Sequence, residues 1–390
     1  MSAPGNRVIS ALGVVQIFAW GSTFYLMAPL AGAISADTGW GQGFLSAGVS
    51  LGLLISGLSA PAIGRWIGRT GGRQTMSAGM LLIATGLLLL GLAATKGVYL
   101  FAWAVLGLGM AAGLYDAAFS TLGSAAGRDA RAAITRLTLW GGFASTVCWP
   151  LSAWLVTSIG WQATCFSYAA LHLLVTLPLC RIYLPKTPGV VPRSTADAPA
   201  RIRTLDPRFI CIVVAGVTLS MIATIWSIHM VTILTATGYS IATAIALGTL
   251  IGPAQVAARV LEMLGRGRHH PIWTMGAATS FVLFGFLGLQ LGLPASAGLI
   301  AYGAGNGLWS IARGALPLAL FGADGYAELM GRLARPMLIA GAAAPMVGAA
   351  LIGWIGPDRM MAVLAIMAVI PVGAALILFS GQIRKRPAAV

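Results

Sequence analysis

Long apolar segments, each of about 20 residues or more, follow one another along most of the chain with only short polar breaks. A helix of this length spans the hydrocarbon core of a bilayer. Only 8% of the 390 residues are charged and the mean hydropathy is +0.88, whereas soluble domains usually carry about 25% charged residues. The chain is therefore predicted to be an all-α, multi-pass membrane protein.

Glycine, proline and charged residues divide this apolar sequence into twelve predicted helices. The first is longer than the apolar region of a cleavable signal peptide and is predicted to remain as a membrane span. An even number of spans places both termini on one side of the membrane. The predicted spans are 8–35, 43–64, 74–95, 98–123, 133–158, 160–184, 208–236, 240–264, 271–292, 294–321, 333–355 and 359–382.

The distribution of basic residues predicts the orientation of these spans. With both termini in the cytoplasm, 20 of the 24 Lys and Arg residues lie on the cytoplasmic side and only Lys96 and Arg359 lie outside. By the positive-inside rule this asymmetry predicts cytoplasmic termini, as in a bacterial inner membrane protein. Because the basic residues stand in short clusters between spans, the net charge of +15 does not indicate nucleic-acid binding. The cytoplasmic set is Arg7, Arg65, Arg69, Arg73, Arg128, Arg131, Arg136, Arg181, Lys186, Arg193, Arg201, Arg203, Arg208, Arg266, Arg268, Arg332, Arg335, Arg384, Lys385 and Arg386.

The longest polar segment, 185–207, falls near the middle of the chain and is rich in proline, arginine and threonine. It is predicted to be a cytoplasmic linker between an N-terminal six-helix bundle, 1–184, and a C-terminal one, 208–390. Parallel repeats of six helices are typical of secondary transporters, in which the solute site lies at the repeat interface.

The two halves also repeat each other in sequence. Residues 107–116 of the fourth helix resemble 302–310 of the tenth, with Gly113 falling on Gly307, and Leu51 of the second helix falls on Leu247 of the eighth. The corresponding offsets are 194 and 196 residues, so they differ by one small insertion.

Small residues recur at every fourth position of the second helix, which predicts one helix face that another helix can approach closely. They are Gly48, Gly52, Ser56, Ala60 and Gly64.

A basic run at 64–73, GRWIGRTGGR, separates the second and third helices. Three arginines cannot lie in hydrocarbon, so the run is predicted to be a tight cytoplasmic loop. Together with the twelve helices and the central loop, this run resembles the major facilitator superfamily over essentially the whole chain. The residues that match the family's loop motif are Gly64, Arg69, Gly71 and Arg73.

The chain departs from family patterns at three places. Gly68 stands where the family usually has an aspartate that anchors a cytoplasmic latch, so different contacts are expected to close the inner gate. Trp103 and Trp149-Pro150 stand where the patterns of proton-driven drug antiporters have an arginine and Gly-Pro. The start of the second helix, 37–48, instead resembles the branch of monocarboxylate transporters and their bacterial relatives, although the first helix lacks the lysine of that branch.

Charged residues inside predicted spans are costly and therefore indicate function. Arg313 lies within the tenth helix, and Asp116 lies at nearly the matching depth of the fourth. In the superfamily, helices 1, 4, 7 and 10 line the central cavity, so the resemblance implies that these two residues face each other. We expect Arg313 to bind an anionic group of the solute, and Asp116 to be its partner or a proton carrier. The alternative is a static buried ion pair.

Three further ionisable residues lie in or near spans. Arg259 of the eighth helix precedes Glu262 by one turn, so the two can pair. One interpretation is that the pair forms a structural gate. The other is that Arg259 is a second contact for the anion, since monocarboxylate transporters carry a substrate arginine on this helix. His229 of the seventh helix either couples transport to protons or is a hydrogen-bonded packing residue. Polar and aromatic residues that could line the cavity are Gln16, Trp20, Tyr25, Tyr115, Trp226, Asn306 and Trp309.

Neither a nucleotide-binding loop nor a metal-ligand spacing occurs in the sequence, and the four cysteines include no paired motif. No enzymatic activity, cofactor or metal is expected, and the cysteines are interpreted as buried apolar residues.

The sequence thus favours a monomeric secondary transporter that moves a small organic anion by alternating access, driven by a proton or other ion gradient. One alternative is efflux of a drug or toxic metabolite by proton antiport. Another, from a different class, is a membrane receptor or sensor that does not transport.

Overall fold

The computed structural model describes residues 6–126, 130–186, 206–265 and 269–383. Within these ranges the chain is helical and contains no strand. A π-helical turn, His172–Thr176, lies between two of the α-helices. The α-helices are α1 Asn6–Gly21, α2 Met27–Thr38, α3 Gln42–Thr70, α4 Gly72–Gly91, α5 Lys96–Gly113, α6 Tyr115–Ala126, α7 Ala130–Gly142, α8 Ala144–Leu171, α9 Leu177–Tyr183, α10 Pro207–Ala236, α11 Ile241–Gly248, α12 Ile251–Leu264, α13 Pro271–Gln290, α14 Ala295–Phe321, α15 Tyr326–Ile355 and α16 Met360–Ile383.

Each of the twelve predicted spans corresponds to one or more of these helices. Within the described residues, nine helical stretches are long and apolar enough to cross a membrane. One of them, Ala130–Tyr183, is 54 residues long and contains both the fifth and the sixth predicted spans. Two predicted spans lie outside these nine stretches. The first span is divided into α1 and α2, and the tenth is α14, whose mean hydropathy is lowered by Asn306 and Arg313.

Four predicted spans are interrupted, which their apolar length does not indicate. The first is broken between α1 and α2, the fourth at Leu114, the fifth at Phe143 and the eighth at Thr249–Leu250. Hydropathy is averaged over windows of about 19 residues. A helix break of one to five apolar or hydroxyl-bearing residues therefore does not lower the window average.

The prediction that 64–73 forms a loop was wrong. α3 continues to Thr70 and α4 begins at Gly72, so Gly71 alone connects them, with a φ of 83° that glycine tolerates. Arg65 and Arg69 are exposed on the last turns of α3, because arginine is a good helix former whose long side chain reaches water beyond the apolar core.

The eleventh span also begins earlier than predicted, since α15 starts at Tyr326 rather than at 333. Arg332 and Arg335 were assigned to a cytoplasmic loop, whereas both lie on the first turns of this 30-residue helix.

Contacts between helices group the chain into two compact units. Unit 1 comprises residues 1–201 and 322–342, and unit 2 comprises 202–321 and 343–390. Most of the predicted linker, 185–207, lies outside the described residues, as do Arg128, Arg266 and the basic residues of the C-terminal tail. The division into bundles at 184 and 208 stays a prediction.

Each unit contains a close glycine contact between two of its helices. In unit 1 a Cβ on Gly107 of α5 would lie 2.5 Å from the Gly52 carbonyl oxygen of α3. In unit 2 a Cβ on Gly303 of α14 would lie 2.7 Å from the Ile251 carbonyl oxygen of α12. At both places only glycine lets the two backbones approach so closely.

Candidate functional site

The first helix of unit 1 is broken by the turn Ser22–Leu26. Glycine, serine and threonine at 21–23 are weak helix formers, and the Thr23 hydroxyl donates to the Ala19 carbonyl oxygen at 2.5 Å, which competes with the helical backbone. Backbone polar groups at membrane depth need partners, so such a break is tolerated where the chain lines a cavity or is buried in protein.

A second break lies at Leu114, whose extended backbone (φ −86°, ψ −167°) ends α5 and lets α6 begin. Gln16 of α1 is fully buried, and its Nε2 donates to the Gly113 carbonyl oxygen at 2.7 Å. The side chain of Gln16 thus satisfies a carbonyl next to the break and joins the two interrupted helices.

Five aromatic side chains of unit 1 meet beside these breaks, and we call them the aromatic cluster: Trp20, Phe24, Tyr25, Tyr115 and Trp149. The Trp20 ring is 5.2 Å from Tyr115, 5.7 Å from Phe24 and 6.1 Å from Tyr25, measured between ring centroids. Tyr25 in turn contacts Trp149 edge-on at 6.1 Å. Trp20, Tyr25 and Tyr115 were predicted cavity residues, and the structure brings them together with Gln16.

His172 stabilises the break in the first helix, although no sequence pattern singled it out. His172 is fully buried at the start of the π-helical turn, and its Nε2 lies 2.7 Å from Ser22 Oγ. Its Nδ1 lies 2.8 Å from Thr176 Oγ1, and the Thr176 hydroxyl donates to the His172 carbonyl oxygen at 3.1 Å. Nδ1 therefore carries the proton, and Nε2 accepts from the Ser22 hydroxyl.

Asp116 stands in the first turn of α6, where the positive end of the helix dipole stabilises a carboxylate. It lines a small cavity of unit 1 formed by α3, α5, α6 and the first half of α15. The other lining residues are Ala60, Ile63, Gly64, Ile67, Ala111, Ala117, Ser120, Gly331 and Leu338.

The predicted small-residue face of α3 is divided between two partners. Gly48 and Gly52 pack against Trp103 of α5, whereas Gly64 packs against the Ala327 carbonyl of α15. Gly331 of α15 packs in return against the Ala60 carbonyl of α3. Of the motif residues, Gly64 thus mediates a close helix contact, while Arg69 is exposed.

In unit 2, Arg259 connects α12 to α14. The residue is only 5% exposed, and its Nε donates to the Gly307 carbonyl oxygen at 3.3 Å. Gly307 lies between Asn306 and Trp309, two predicted cavity residues, of which Asn306 is half-buried and Trp309 is buried.

Arg313 lies six residues beyond Gly307, about 9 Å farther along α14. The side chain is half-buried, and its Nε is shielded from solvent. α14 thus carries one arginine, Arg313, and contacts a second, Arg259.

Glu262 accepts a hydrogen bond from the Thr274 hydroxyl at 2.7 Å and lies 3.1 Å from His269 Nε2. These contacts connect the end of α12 to the start of α13. The pairing of Glu262 with Arg259 stays a prediction.

Two other predicted residues of unit 2 contact protein groups. Trp226 is fully buried beside Phe286 and Tyr302, at centroid distances of 5.1 Å and 6.2 Å. His229 Nε2 lies 3.3 Å from the Pro345 carbonyl oxygen, which is the contact expected of a hydrogen-bonded packing residue.

The four cysteines are free and buried, as predicted.

With this geometry established, comparison with known proteins identifies the class. The family model of the Major Facilitator Superfamily matches residues 12–334, and the chain belongs to this family. No curated protein matches the sequence. The family and the fold are those of multi-pass membrane transporters rather than enzymes.

Solved structures of the same fold cover nearly the whole chain. The human organic anion transporter MFSD10 (TETRAN) matches with a TM-score of 0.76 at 14% identity, over 96% of this chain and 100% of that one. FucP in the outward conformation matches with a TM-score of 0.76 at 12% identity, over 95% and 98% of the two chains. The proton:xylose symporter XylE, bound to 6-bromo-6-deoxy-D-glucose, matches with a TM-score of 0.73 at 12% identity, over 96% and 94%. The predicted fold of twelve membrane-spanning helices is confirmed.

Proposed function

We propose that the protein is a proton-coupled secondary transporter of a small organic anion, with a carboxylate as the favoured solute. It acts as a monomer in a bacterial inner membrane, with both termini in the cytoplasm. The excess of basic residues in the loops and helix ends of one predicted side supports this orientation.

The two arginines of unit 2 support an anionic solute more than any other observation. Arg259 contacts α14 at Gly307, and Arg313 lies about 9 Å farther along the same helix. A guanidinium group inside a span costs about 2.5 to 3.5 kcal/mol on insertion scales, so its presence indicates a function. Its planar fork of N–H donors suits a carboxylate.

The acidic residues of unit 2 stand at the ends of its helices. They are Asp206 before α10, Glu262 near the end of α12 and Asp358 before α16. Arg259 and Arg313 stand farther from the helix ends, and we place the carboxylate of the solute beside them.

Asp116 is the favoured proton carrier. It stands at the start of a half-helix in a small cavity, and broken helices at membrane depth are recurrent features of transporter ion and solute sites. His229 is the second candidate, since histidine side chains inside membrane spans often relay protons.

The known functions of two similar structures agree with this proposal in part. MFSD10 is described as an organic anion transporter, and XylE as a proton symporter of a sugar. Both are less than 25% identical to this chain, so the choice of an anion rests on the arginines.

The test is flux of a panel of carboxylates into proteoliposomes that contain the purified full-length protein. We expect Arg313→Lys to lower the initial rate by about tenfold or more, because lysine keeps the charge but cannot form the two parallel hydrogen bonds of the guanidinium fork. The matched control is Arg359→Lys, since Arg359 is an exposed arginine of the same unit.

Near-normal flux in Arg313→Lys and Arg259→Gln, with both variants folded, would contradict the proposed role of the arginines. Transport of cationic or lipophilic dyes, with no carboxylate moved, would favour the alternative function of drug efflux.

A further inference from the structure

The proposed function makes no use of the aromatic cluster of unit 1. We propose that the cluster binds the flat ring of the transported solute, and that the solute is an aromatic carboxylate carrying a ring hydroxyl. Only the carboxylate part of this inference rests on the proposed function.

The cluster forms where two helices are interrupted. Phe24 and Tyr25 belong to the turn between α1 and α2, and Tyr115 is the first residue of α6. Gln16 joins the two breaks, so the rings are held on a fixed frame rather than on mobile loops.

The rings are not sealed in a core. Trp149 is 47% exposed, and Trp20, Phe24 and Tyr25 are half-buried, so part of each aromatic surface is open. Pairs of rings at 5.2 Å to 6.1 Å and at steep angles present both faces and edges, the two arrangements that aromatic partners prefer. A flat aromatic ring is therefore the apolar body that fits this surface best.

Two polar atoms at the cluster indicate the ring substituent. Within the described residues, Trp20 Nε1 and Gln16 Oε1 are buried without a hydrogen-bond partner, and Gln16 is fully buried. The two residues are four apart on α1, so their side chains lie on the same helix face. One atom is a donor and the other an acceptor. A hydroxyl group accepts one hydrogen bond and donates another, so it can satisfy both.

The experiment measures dissociation constants of defined probes for the purified full-length protein in nanodiscs. The probes are acetate, cyclohexanecarboxylate, benzoate, 4-hydroxybenzoate and phenol. Cyclohexanecarboxylate is close to benzoate in size but has no aromatic ring, so the pair isolates the ring contribution. We expect benzoate to bind about tenfold more tightly than cyclohexanecarboxylate. The hydroxyl of 4-hydroxybenzoate should add about fivefold.

Three variants assign these preferences to residues. Trp20→Phe should keep the preference for benzoate but lose the gain from the hydroxyl, because phenylalanine has no N–H donor. Trp149→Leu should weaken the ring preference, and this exposed position should tolerate the change. The matched control is Trp154→Leu, because Trp154 lies on the same helix, is 64% exposed and has no place in the cluster.

The outcomes separate this inference from the proposed function. If the carboxylates bind through Arg313 but benzoate gains nothing over cyclohexanecarboxylate, the ring proposal fails and the proposed function stands. If phenol binds in a Trp20-dependent manner while no carboxylate binds, the ring site stands and the anion proposal fails. Equal effects of the Trp149 and Trp154 substitutions, or no binding of any probe, would overturn the ring site.

Discussion

At the scale of single residues, the side chains that hold the break in the first helix are the most informative. Ser22, His172 and Thr176 form one buried hydrogen-bonded chain with a defined tautomer. A chain of this kind fixes geometry because each buried polar group depends on its partner.

We predict that Ser22→Ala lowers the stability of the protein by about 1 to 3 kcal/mol, since His172 Nε2 is then left buried without a donor. A lower unfolding midpoint of the detergent-solubilised protein is the measurement. The control is Thr157→Ala, because the exposed Thr157 hydroxyl bonds only to backbone carbonyls of its own helix. Equal midpoints for the two variants would show that the contact with His172 is unimportant.

A second residue-scale prediction concerns pH. Arg208 lowers the pKa of Asp206, which accepts from Arg208 Nε at 3.1 Å and Nη2 at 2.8 Å just before the seventh span. A carboxyl whose pKa is lower in the folded state stabilises that state above its unfolded pKa, and this stabilisation is lost as the pH falls through the folded pKa.

We therefore expect Asp206→Asn to lower the free energy of unfolding at neutral pH. The loss should not exceed about 1 kcal/mol, because the Asp206–Arg208 pair is partly exposed. The deficit should begin to shrink as the pH falls below about 4, where the carboxyl of the unfolded parent takes up a proton, and should be lost below the lowered pKa of the folded state. Unfolding midpoints of both proteins across this range test it. A deficit that stays constant down to about pH 3 would contradict the ionic explanation.

Several site residues could be predicted from sequence, and one important residue could not. Gln16, Trp20, Tyr25 and Tyr115 stood out because polar and aromatic side chains are uncommon in apolar spans, and the structure brings them together. His172 lies in the apolar stretch LHLLV, where only a lone histidine is visible. Its partner Ser22 is 150 residues away, and single-sequence patterns do not report pairing at such distances.

At the scale of helices, the contact between α3 and the first half of α15 is maintained by glycine. A Cβ on Gly64 would collide with the Ala327 carbonyl, and one on Gly331 with the Ala60 carbonyl. Both of these groups belong to the backbone and cannot rotate away, so a larger residue at either glycine would force the two helices apart.

We predict that Gly64→Val lowers stability by about 1 to 3 kcal/mol and makes the Asp116 cavity more accessible. The second effect can be followed through the rate at which a water-soluble maleimide labels a cysteine introduced at Ser120, which lines that cavity. The control is Gly68→Val on the same helix, because no atom lies within 4 Å of a Cβ at Gly68. Faster labelling in both variants, or in neither, would contradict a specific role of the α3–α15 contact.

The helices themselves were more predictable than their interruptions. Apolar length predicted every span, because each must cross the same hydrocarbon thickness. The breaks at Leu114 and Ser22–Leu26 depend instead on hydrogen bonds with Gln16 and His172, which are distant from them in the sequence. The continuation of α3 through Arg65 and Arg69 was missed because charge was interpreted as a loop signal, although arginine also suits an exposed helix end.

At the scale of the whole molecule, the twelve-span membrane fold is established, while its orientation is a prediction from charge. Of the basic residues, 20 fall on one side and two on the other. A membrane-impermeant maleimide should label a cysteine introduced at Lys96 in intact cells and should label one at Arg69 only after permeabilisation. The reverse pattern would invert the topology. Both positions are exposed and lie at helix ends, so each serves as the other's control.

The transport function itself is tested most directly by accumulation against a gradient. Proteoliposomes containing the purified protein should concentrate an aromatic carboxylate such as benzoate above its equilibrium level when a proton gradient is imposed, and a protonophore should abolish this accumulation. The same vesicles with Asp116→Asn should show exchange of the carboxylate without gradient-driven accumulation. Carboxylate levels that never exceed those in protein-free vesicles, whatever the pH gradient, would contradict a proton-coupled anion transporter.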